Sequence, residues 1–473
     1  MNEFDYTIIG AGPSGLIATY LLAKLGKKCL LIDKNDNVGG CHRVVRVNGL
    51  FTEHGPRIYS SSYLNTINIL NDMGINFYDI FTEYNFTISN IGDKSANNLS
   101  FKEILILGWN FLINPKSTQT ITMKNFMNTY NFSDTSKDYI NRLCLLTDGA
   151  SSDKYTLFEF LELVNQQVLY KLYQPKNPND QLLFPLMMKA ITDTGNVTIM
   201  LNTEVKKLKK DKKLTTISSI KIKKEKSISL IHSKNYILAV SPKDMFNILS
   251  TSSLQDSFGP NLKLISENNS YNNDISIIFH FNTKLNLQKI WGFPKSDWGV
   301  AFIILSNYMD FNDIRSQTVI STCITLTNNI SLITKKTSNQ TDNKHELIQE
   351  VFRQLKESFL DLPNPTYSLL SPNVYRNNSM WLDRDSAYIK GSNNLYLESN
   401  GNISNLYNVG TQNGNSPYNF TSFESAVANS LYFVKQLNPD LNQKYEMKYP
   451  SSLRNVIRVI LFLIILIIIL LII

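Results

Sequence analysis

The stretch Asp5–Asp33, DYTIIGAGPSGLIATYLLAKLGKKCLLID, constrains this chain more than any other, because it reads as a complete strand, glycine turn, helix and second strand. Tyr6 to Ile9 is a short apolar β run. Gly10, Gly12 and Gly15 follow at G-x-G-x-x-G spacing, and Pro13 and Ser14 open a helix whose apolar positions Leu16, Ala18, Leu21 and Leu22 lead to a stop at Gly26. Lys28 to Ile32 is the second strand, closed by Asp33. In such a unit the glycines serve the tight turn, the approach of backbone to a pyrophosphate and the packing of helix on strand. The helix N-terminus offers free N–H groups to phosphate, and an acid about 20 residues on reaches the ribose hydroxyls. The stretch therefore predicts a dinucleotide-binding domain.

The residues that follow select the dinucleotide. Asp33 to Arg43 reads DKNDNVGGCHR and Leu50 to Tyr59 reads LFTEHGPRIY. Here the chain resembles the flavin-containing amine oxidase superfamily of two-dinucleotide-binding-domain flavoproteins, in which the ribose acid is followed by a glycine pair and then by a glycine-bearing turn at the flavin. Within it, EHGPR looks most like the protoporphyrinogen oxidases. The resemblance implies FAD, held around Gly10, Gly12, Pro13, Ser14, Gly15, Asp33, Lys34, Gly39 and Gly40, with Gly55, Pro56 and Arg57 beside the isoalloxazine. Arg57 becomes the catalytic candidate, as a guanidinium able to orient an anionic or carbonyl-bearing substrate or to stabilise reduced flavin. Cys41 stands where the family usually has Arg, and Arg43 is expected to supply that charge. The C-terminal flavin-binding piece has no Cys, so the FAD is expected to be non-covalent.

The fold class implied is α/β: a Rossmann-like FAD-binding domain with an interleaved α+β substrate domain, plus a C-terminal transmembrane helix. The FAD domain is expected over residues 1–63, 181–254 and 381–440, and the substrate domain over 64–180 and 255–380. A linker over 441–453 leads to a membrane anchor over 454–473. In the second FAD piece Val205 falls where this family clamps the adenine edge; in the third, Gly410 matches the pyrophosphate glycine, and Ser422 and Phe423 open a helix aimed at the flavin. Amphipathic helices are expected at Leu64–Met73, Lys102–Leu112 and Leu157–Tyr173, and strands at Ile275–Phe281, Val300–Leu305 and Gln317–Leu326. Tyr59, Trp291, Trp298, Trp381 and Tyr388 are candidates for the substrate pocket, since large rigid aromatics wall such cavities.

Composition narrows the rest. A chain of 473 residues is long enough for two domains. Four cysteines without a C-x-x-C pair suit a reducing compartment, and five scattered histidines predict no metal site. The net charge of +8 is concentrated around the lysines from Lys206 to Lys226, in a segment that alternates like a hairpin. Without interleaved aromatics it reads as a solvated edge, and no nucleic-acid partner is expected. The acidic start, MNEFD, runs straight into the first strand, unlike a secretory signal.

Val459 to Ile473 is an unbroken apolar run preceded by Lys444, Lys448, Arg454 and Arg458. With Val456 and Ile457 it approaches the ~20 residues a span requires, and Arg458 can snorkel. The expectation is a single-pass tail anchor with the catalytic body cytosolic. The leading functional expectation is an FAD-dependent oxidoreductase that moves a hydride from a C–H bond next to nitrogen of a small-molecule substrate to the flavin. One departure weighs against amine oxidation: the lysine that amine oxidases carry on a substrate-domain strand is missing from Asp274 to Phe281, and only Lys284 and Lys289 follow it. The alternatives are a flavoprotein of the same fold with other chemistry, such as a desaturase or a sugar mutase like UDP-galactopyranose mutase, and a non-catalytic membrane-tethered binding module.

Overall fold

The computed structural model describes residues 4–89, 98–211, 213, 215–267, 275–292, 296–384, 395–418 and 421–472. Its first layer is a parallel five-stranded sheet in the order Leu406–Asn408, Ser233–Leu238, Phe4–Ile9, Cys29–Ile32, Val197–Met200. The central strands are apolar on both faces because both faces are covered. Helices Pro13–Lys24, Leu183–Thr192 and Phe423–Leu437 share one core with the sheet, through residues such as Leu16, Leu31, Met187 and Val427. The opposite face packs against an antiparallel sheet, Thr203–Lys210, Ile217–Lys224 and Ser227–Ile231, and against helix Pro242–Ser250. In that small sheet Val205 and Leu208 point inward, while Lys206, Lys207 and Lys209 are exposed. The strand order reverses at Phe4–Ile9, whose neighbours Cys29–Ile32 and Ser233–Leu238 lie on either side; such a switch point opens a crevice at the carboxyl ends of the strands.

A second, mostly antiparallel sheet runs Tyr367–Leu370, Ile275–Phe281, Thr318–Ile324, Val300–Ile304, Ile290–Gly292, Thr87–Ser89. Helix Lys344–Lys356 backs it through Leu347, Val351 and Leu355. Between the two sheets in sequence lies a helical unit with its own core, made by Phe101–Ile113, Met123–Thr129, Asp134–Asp148 and Leu157–Gln167. This is the expected α/β architecture with an interleaved second domain.

The expected borders move in four places. Helix Leu64–Asp72 packs on Phe423–Leu437 in the first core, with Glu424 accepting the backbone N–H of Asn65 (3.0 Å) and Thr66 (2.8 Å), so the chain leaves the first domain well after residue 63. Strand Met380–Asp383 forms a hairpin with Val374–Asn377 on the second domain's core, which puts the return crossing after Asp383 rather than at 381. The helix expected to reach Tyr173 ends at Gln167, because Leu172–Pro175 pairs with Tyr59–Ser60 and Phe81–Glu83 as a strand. The segment expected as a linker is a strap bonded to the body: Tyr445 to Asp72, Lys448 to Asn65, Ser451 to Tyr170 and Ser452 to Asn165. It ends in helix Leu453–Ile472, whose span Leu453–Leu471 has mean hydropathy 2.7 and is only 6% buried.

Candidate functional site

The crevice at the switch point opens into one cavity of about 800 Å³. Two helix N-termini converge on it. Gly12, Pro13 and Ser14 open one helix; Ser422 and Phe423 open the other, where the Ser422 hydroxyl accepts the Ser425 N–H at 3.0 Å. The Ser14 and Ser430 hydroxyls lock these helices together, donating to the Ala426 carbonyl at 3.4 Å and the Ser14 carbonyl at 2.9 Å. The dipoles of both helices give the crevice wall positive potential.

Asp33, at the end of the second strand, lines the cavity and accepts the Ala11 N–H at 2.7 Å and the Asn35 N–H at 2.8 Å, which fixes the carboxylate across the glycine turn. Lys34, Val205 and Gly410 line the same cavity. Lys34 faces Asp244 at 3.3 Å. The Cys41 carbonyl accepts from Arg57 Nη2 at 2.8 Å, and Arg43, buried, lies at the cavity three residues past the glycine pair.

The glycines divide into two kinds. Gly10, Gly15 and Gly39 are dictated by the protein itself: a Cβ would stand 2.4 Å from the Ala239 carbonyl oxygen, 1.9 Å from the Gly10 carbonyl oxygen and 2.4 Å from the Phe184 ring, respectively. Gly15 and Gly39 are not among the residues lining the cavity; they pack just beneath it, where Gly15 meets the Gly10 carbonyl and Gly39 the Phe184 ring. Gly12 and Gly55 line the cavity and meet no such obstacle; the nearest atom to a Cβ on Gly12 is 3.6 Å away, and a Cβ on Gly55 meets nothing within 4 Å. Gly40 combines a left-handed φ of +55° with a place in the wall. Bare backbone facing a cavity, next to a fixed carboxylate and two helix N-termini, fits a dinucleotide such as FAD.

Beyond Gly55, Pro56 and Arg57 the cavity continues into a lobe lined by Leu143, Leu146, Phe160, Leu163 and Val164 of the helical unit and by Ala301, Phe302 and Cys323 of the second sheet. Arg57 sits at the junction, its Nε buried and without a hydrogen-bond partner among the described residues. His42, which the sequence left among the scattered histidines, also lines the junction; burial and then the neighbouring charges of Arg57 and His54 hold its pKa well below the usual value, so the ring is neutral at pH 7. Its Nδ1 lies 3.1 Å from the Tyr59 hydroxyl. Only its position after the glycine pair marked it. Behind the turn, His54 Nδ1 lies 2.6 Å from Asp383 Oδ2, both side chains buried.

The aromatic candidates fare differently. Tyr59 is in the first core between Phe81 and Phe423, its hydroxyl accepting from Asn179, and not in the cavity wall. Trp298 is fully buried under helix Lys344–Lys356, its indole N–H donating to the Lys336 carbonyl, and Trp381 donates to the Thr341 hydroxyl in the same core. All three are packing residues: each ring satisfies its polar atom locally and fills a core away from the lobe. Trp291 lies on strand Ile290–Gly292, and Tyr388 falls outside the described residues. Among the described lining residues Lys34 supplies the lysine, while Lys289 lies over the Tyr308 ring. No group of His, Cys, Asp and Glu suited to a metal is found among the described residues.

Comparison with known proteins agrees with this geometry. The profile of the NAD(P)-binding Rossmann-like domain matches residues 8–73. UDP-galactopyranose mutase of Mycoplasma genitalium is 35% identical over 102 residues, 21% of this chain and 23% of the mutase. The chain thus aligns with less than a third of the length of the curated relatives it matches. Solved structures align almost throughout: putrescine oxidase bound to putrescine at TM-score 0.63 and 13% identity, covering 92% of this chain and 98% of that one, and a protoporphyrinogen oxidase-like protein from Exiguobacterium sp. 255-15 at TM-score 0.60 and 13% identity, covering 93% and 100%. Around its Rossmann-like dinucleotide-binding domain, the chain shares the overall fold of the putrescine oxidase and protoporphyrinogen oxidase-like structures.

Proposed function

We propose that the protein is a non-covalent FAD-dependent oxidoreductase that takes a hydride from a C–H bond next to nitrogen of a small molecule held in the apolar lobe. The carrying observation is that a single cavity joins the Gly12 and Asp33 cradle to that lobe across Gly55–Arg57. Bound FAD would supply the electron-accepting chemistry, and the protein binding, orientation and electrostatics. Of the residues lining the cavity, Asp33 would hold the ribose, the two helix N-termini, Arg43 and Gly410 would meet the pyrophosphate, Val205 would border the adenine end and Phe423 the ring system. Arg57 presents an unpartnered N–H where negative charge develops on reduction, and neutral His42 offers a hydrogen bond without adding charge. The apolar wall excludes water from the reacting carbon.

The lobe's charges favour a second reading within the same fold. Arg57 and Arg384 line that side, whereas the acidic lining residues Asp33, Glu204 and Asp244 belong to the nucleotide side. Among the described lining residues a cationic amine finds no carboxylate on the lobe side, and an anionic substrate, a porphyrinogen or a nucleotide sugar, finds the guanidinia of Arg57 and Arg384. Anaerobic mixing of the purified yellow protein with amines, porphyrinogens and nucleotide sugars separates the readings by which class bleaches the flavin. Protein that is colourless and takes up no FAD would overturn both and leave a binding module.

We also infer that Leu453–Ile472 spans a bilayer once, with the body on the cytosolic side. The helix's first turn is docked on the body through Arg454. The residues beyond Arg458, of which Val459 to Leu471 present apolar surface all round, rise ~21 Å of a ~30 Å hydrocarbon core, so the span draws on snorkelling of Arg458 and local thinning of the bilayer. Flotation of the full chain with vesicles after a carbonate wash tests it.

A further inference from the structure

Helix Phe101–Ile113 is apolar on two sides: Ile106, Leu107, Phe111 and Leu112 pack on the core of the helical unit, and a second apolar face points outward. Phe101, Ile104, Leu105, Trp109 and Ile113 form one exposed face at helical spacing, with Phe101 76% and Trp109 67% accessible. Two of its polar residues, Glu103 and Asn110, point inward beside that packing. Buried Glu103 accepts from the Ser100 N–H at 2.6 Å, the Ser133 N–H at 2.8 Å and the Ser136 hydroxyl at 2.9 Å, and buried Asn110 donates to the Ile106 carbonyl at 2.9 Å. The capping box at Ser100 and Glu103 and the left-handed Asn114 at the other end mark a finished helix, so the apolar face is a designed exterior.

The helix is bolted to the apolar span. The Arg454 side chain donates to the Phe111 carbonyl, lies over the Phe111 ring at 5.0 Å and pairs with Glu162 Oε1 at 2.7 Å, both side chains buried. One turn further, Arg458 donates to the Leu112 carbonyl. Both arginines thus close the helix's C-terminal end at the first turns of Leu453–Ile472. Lys102 and Lys116 are exposed at its two ends.

We propose that Phe101–Ile113 lies flat in the headgroup layer of a phospholipid bilayer, its apolar face immersed beside the point where Leu453–Ile472 enters. This rests on the reading of that helix as a span. Three observations select a bilayer over a second copy of the chain: the face is continuous with the apolar span, it is flanked by lysines suited to anionic headgroups, and it carries a Trp, the side chain that settles at the water–hydrocarbon boundary.

The test uses full-length protein in vesicles of phosphatidylcholine and phosphatidylglycerol, with or without lipids brominated near the headgroup end of the acyl chains. The emission of Trp109 is taken as the difference between the wild type and Trp109→Phe. Quenching of that difference signal by half or more is expected, and Leu105→Glu, an exposed change that leaves the core untouched, should reduce the quenching at least twofold. Flotation with unquenched Trp109 would overturn the helix placement and leave the span standing. A blue-shifted, unquenched Trp109 in a cross-linkable dimer would assign the face to a second copy. Failure to float would overturn the span and the helix placement together.

Discussion

Gly12→Ala separates ligand binding from folding. Gly12 has φ −75° and ψ 177°, open to any residue, and a Cβ there comes no nearer than 3.6 Å to the protein. Alanine in place of glycine at this cap position costs roughly 0.5–1.5 kcal/mol, and the loss of unfolded-state freedom returns about 0.4–1 kcal/mol, so stability without flavin should stay within ~1 kcal/mol of the wild type. The added methyl faces the cavity, where it would push a pyrophosphate off the Gly12 turn. Losing one charge-assisted hydrogen bond there costs about 1.5–3 kcal/mol, or a roughly 10- to 150-fold weaker Kd for FAD. Gly15→Ala is the contrast: its Cβ would fall 1.9 Å from the Gly10 carbonyl oxygen, so the helix must move off the strand at ~3 kcal/mol or more. Flavin fluorescence titration and chemical denaturation of flavin-free protein read the two effects. Wild-type FAD affinity in Gly12→Ala would refute the assignment of this turn to the cofactor, whatever Gly15→Ala does.

Arg57→Ala should lower turnover by tenfold or more with little loss of flavin, measured by stopped-flow bleaching against flavin absorbance; equal losses would give Arg57 a purely structural role. Glu53, pushed up to about 7 by burial against the opposing Ser321 hydrogen bond and Arg57 charge, binds its proton more tightly folded than unfolded. Its stabilising contribution is therefore complete below pH ~4.5 and lost as pH rises to about 7, with a slope of up to about 1.4 kcal/mol per pH unit that Glu53→Gln should flatten in denaturation curves. Trp298→Ala should cost ~3–5 kcal/mol of stability as a core truncation and leave KM unchanged in whatever protein remains folded.

The first domain was legible because its sequence rules are local. The glycine spacing, Pro13 at the start of its helix and Asp33 at the end of a strand each need only their neighbours, and the structure puts them around one cavity. The division of labour among the glycines was not legible, since it depends on what approaches from elsewhere: Ala239 against Gly10, and Phe184 against Gly39. Trp298 and Trp381 misled because an indole suits a substrate wall and a core equally; the partners that decided, Lys336 and Thr341, lie some 40 residues away in sequence. His42 was passed over because a histidine carries no periodic signal, and its neutrality follows from burial beside Arg57. Helix Phe101–Ile113 was read as amphipathic, but apolar residues occupy both its packed and its exposed faces, and sequence periodicity does not say which side is inside.

The strap from Tyr445 to Arg454 changes how the body relates to whatever holds its last helix. A free tether would let the catalytic domain wander over a hemisphere, sampling orientations at random. Here four successive hydrogen-bonded anchor points and the buried Arg454–Glu162 pair make body and helix one lever, so turning either turns both. Fixed in a sheet of lipid, such a body keeps one degree of rotational freedom, spinning about the sheet's normal, and its cavity stays at one height and one inclination. Encounters with a membrane-confined reactant then become a search in two dimensions with the tilt already solved.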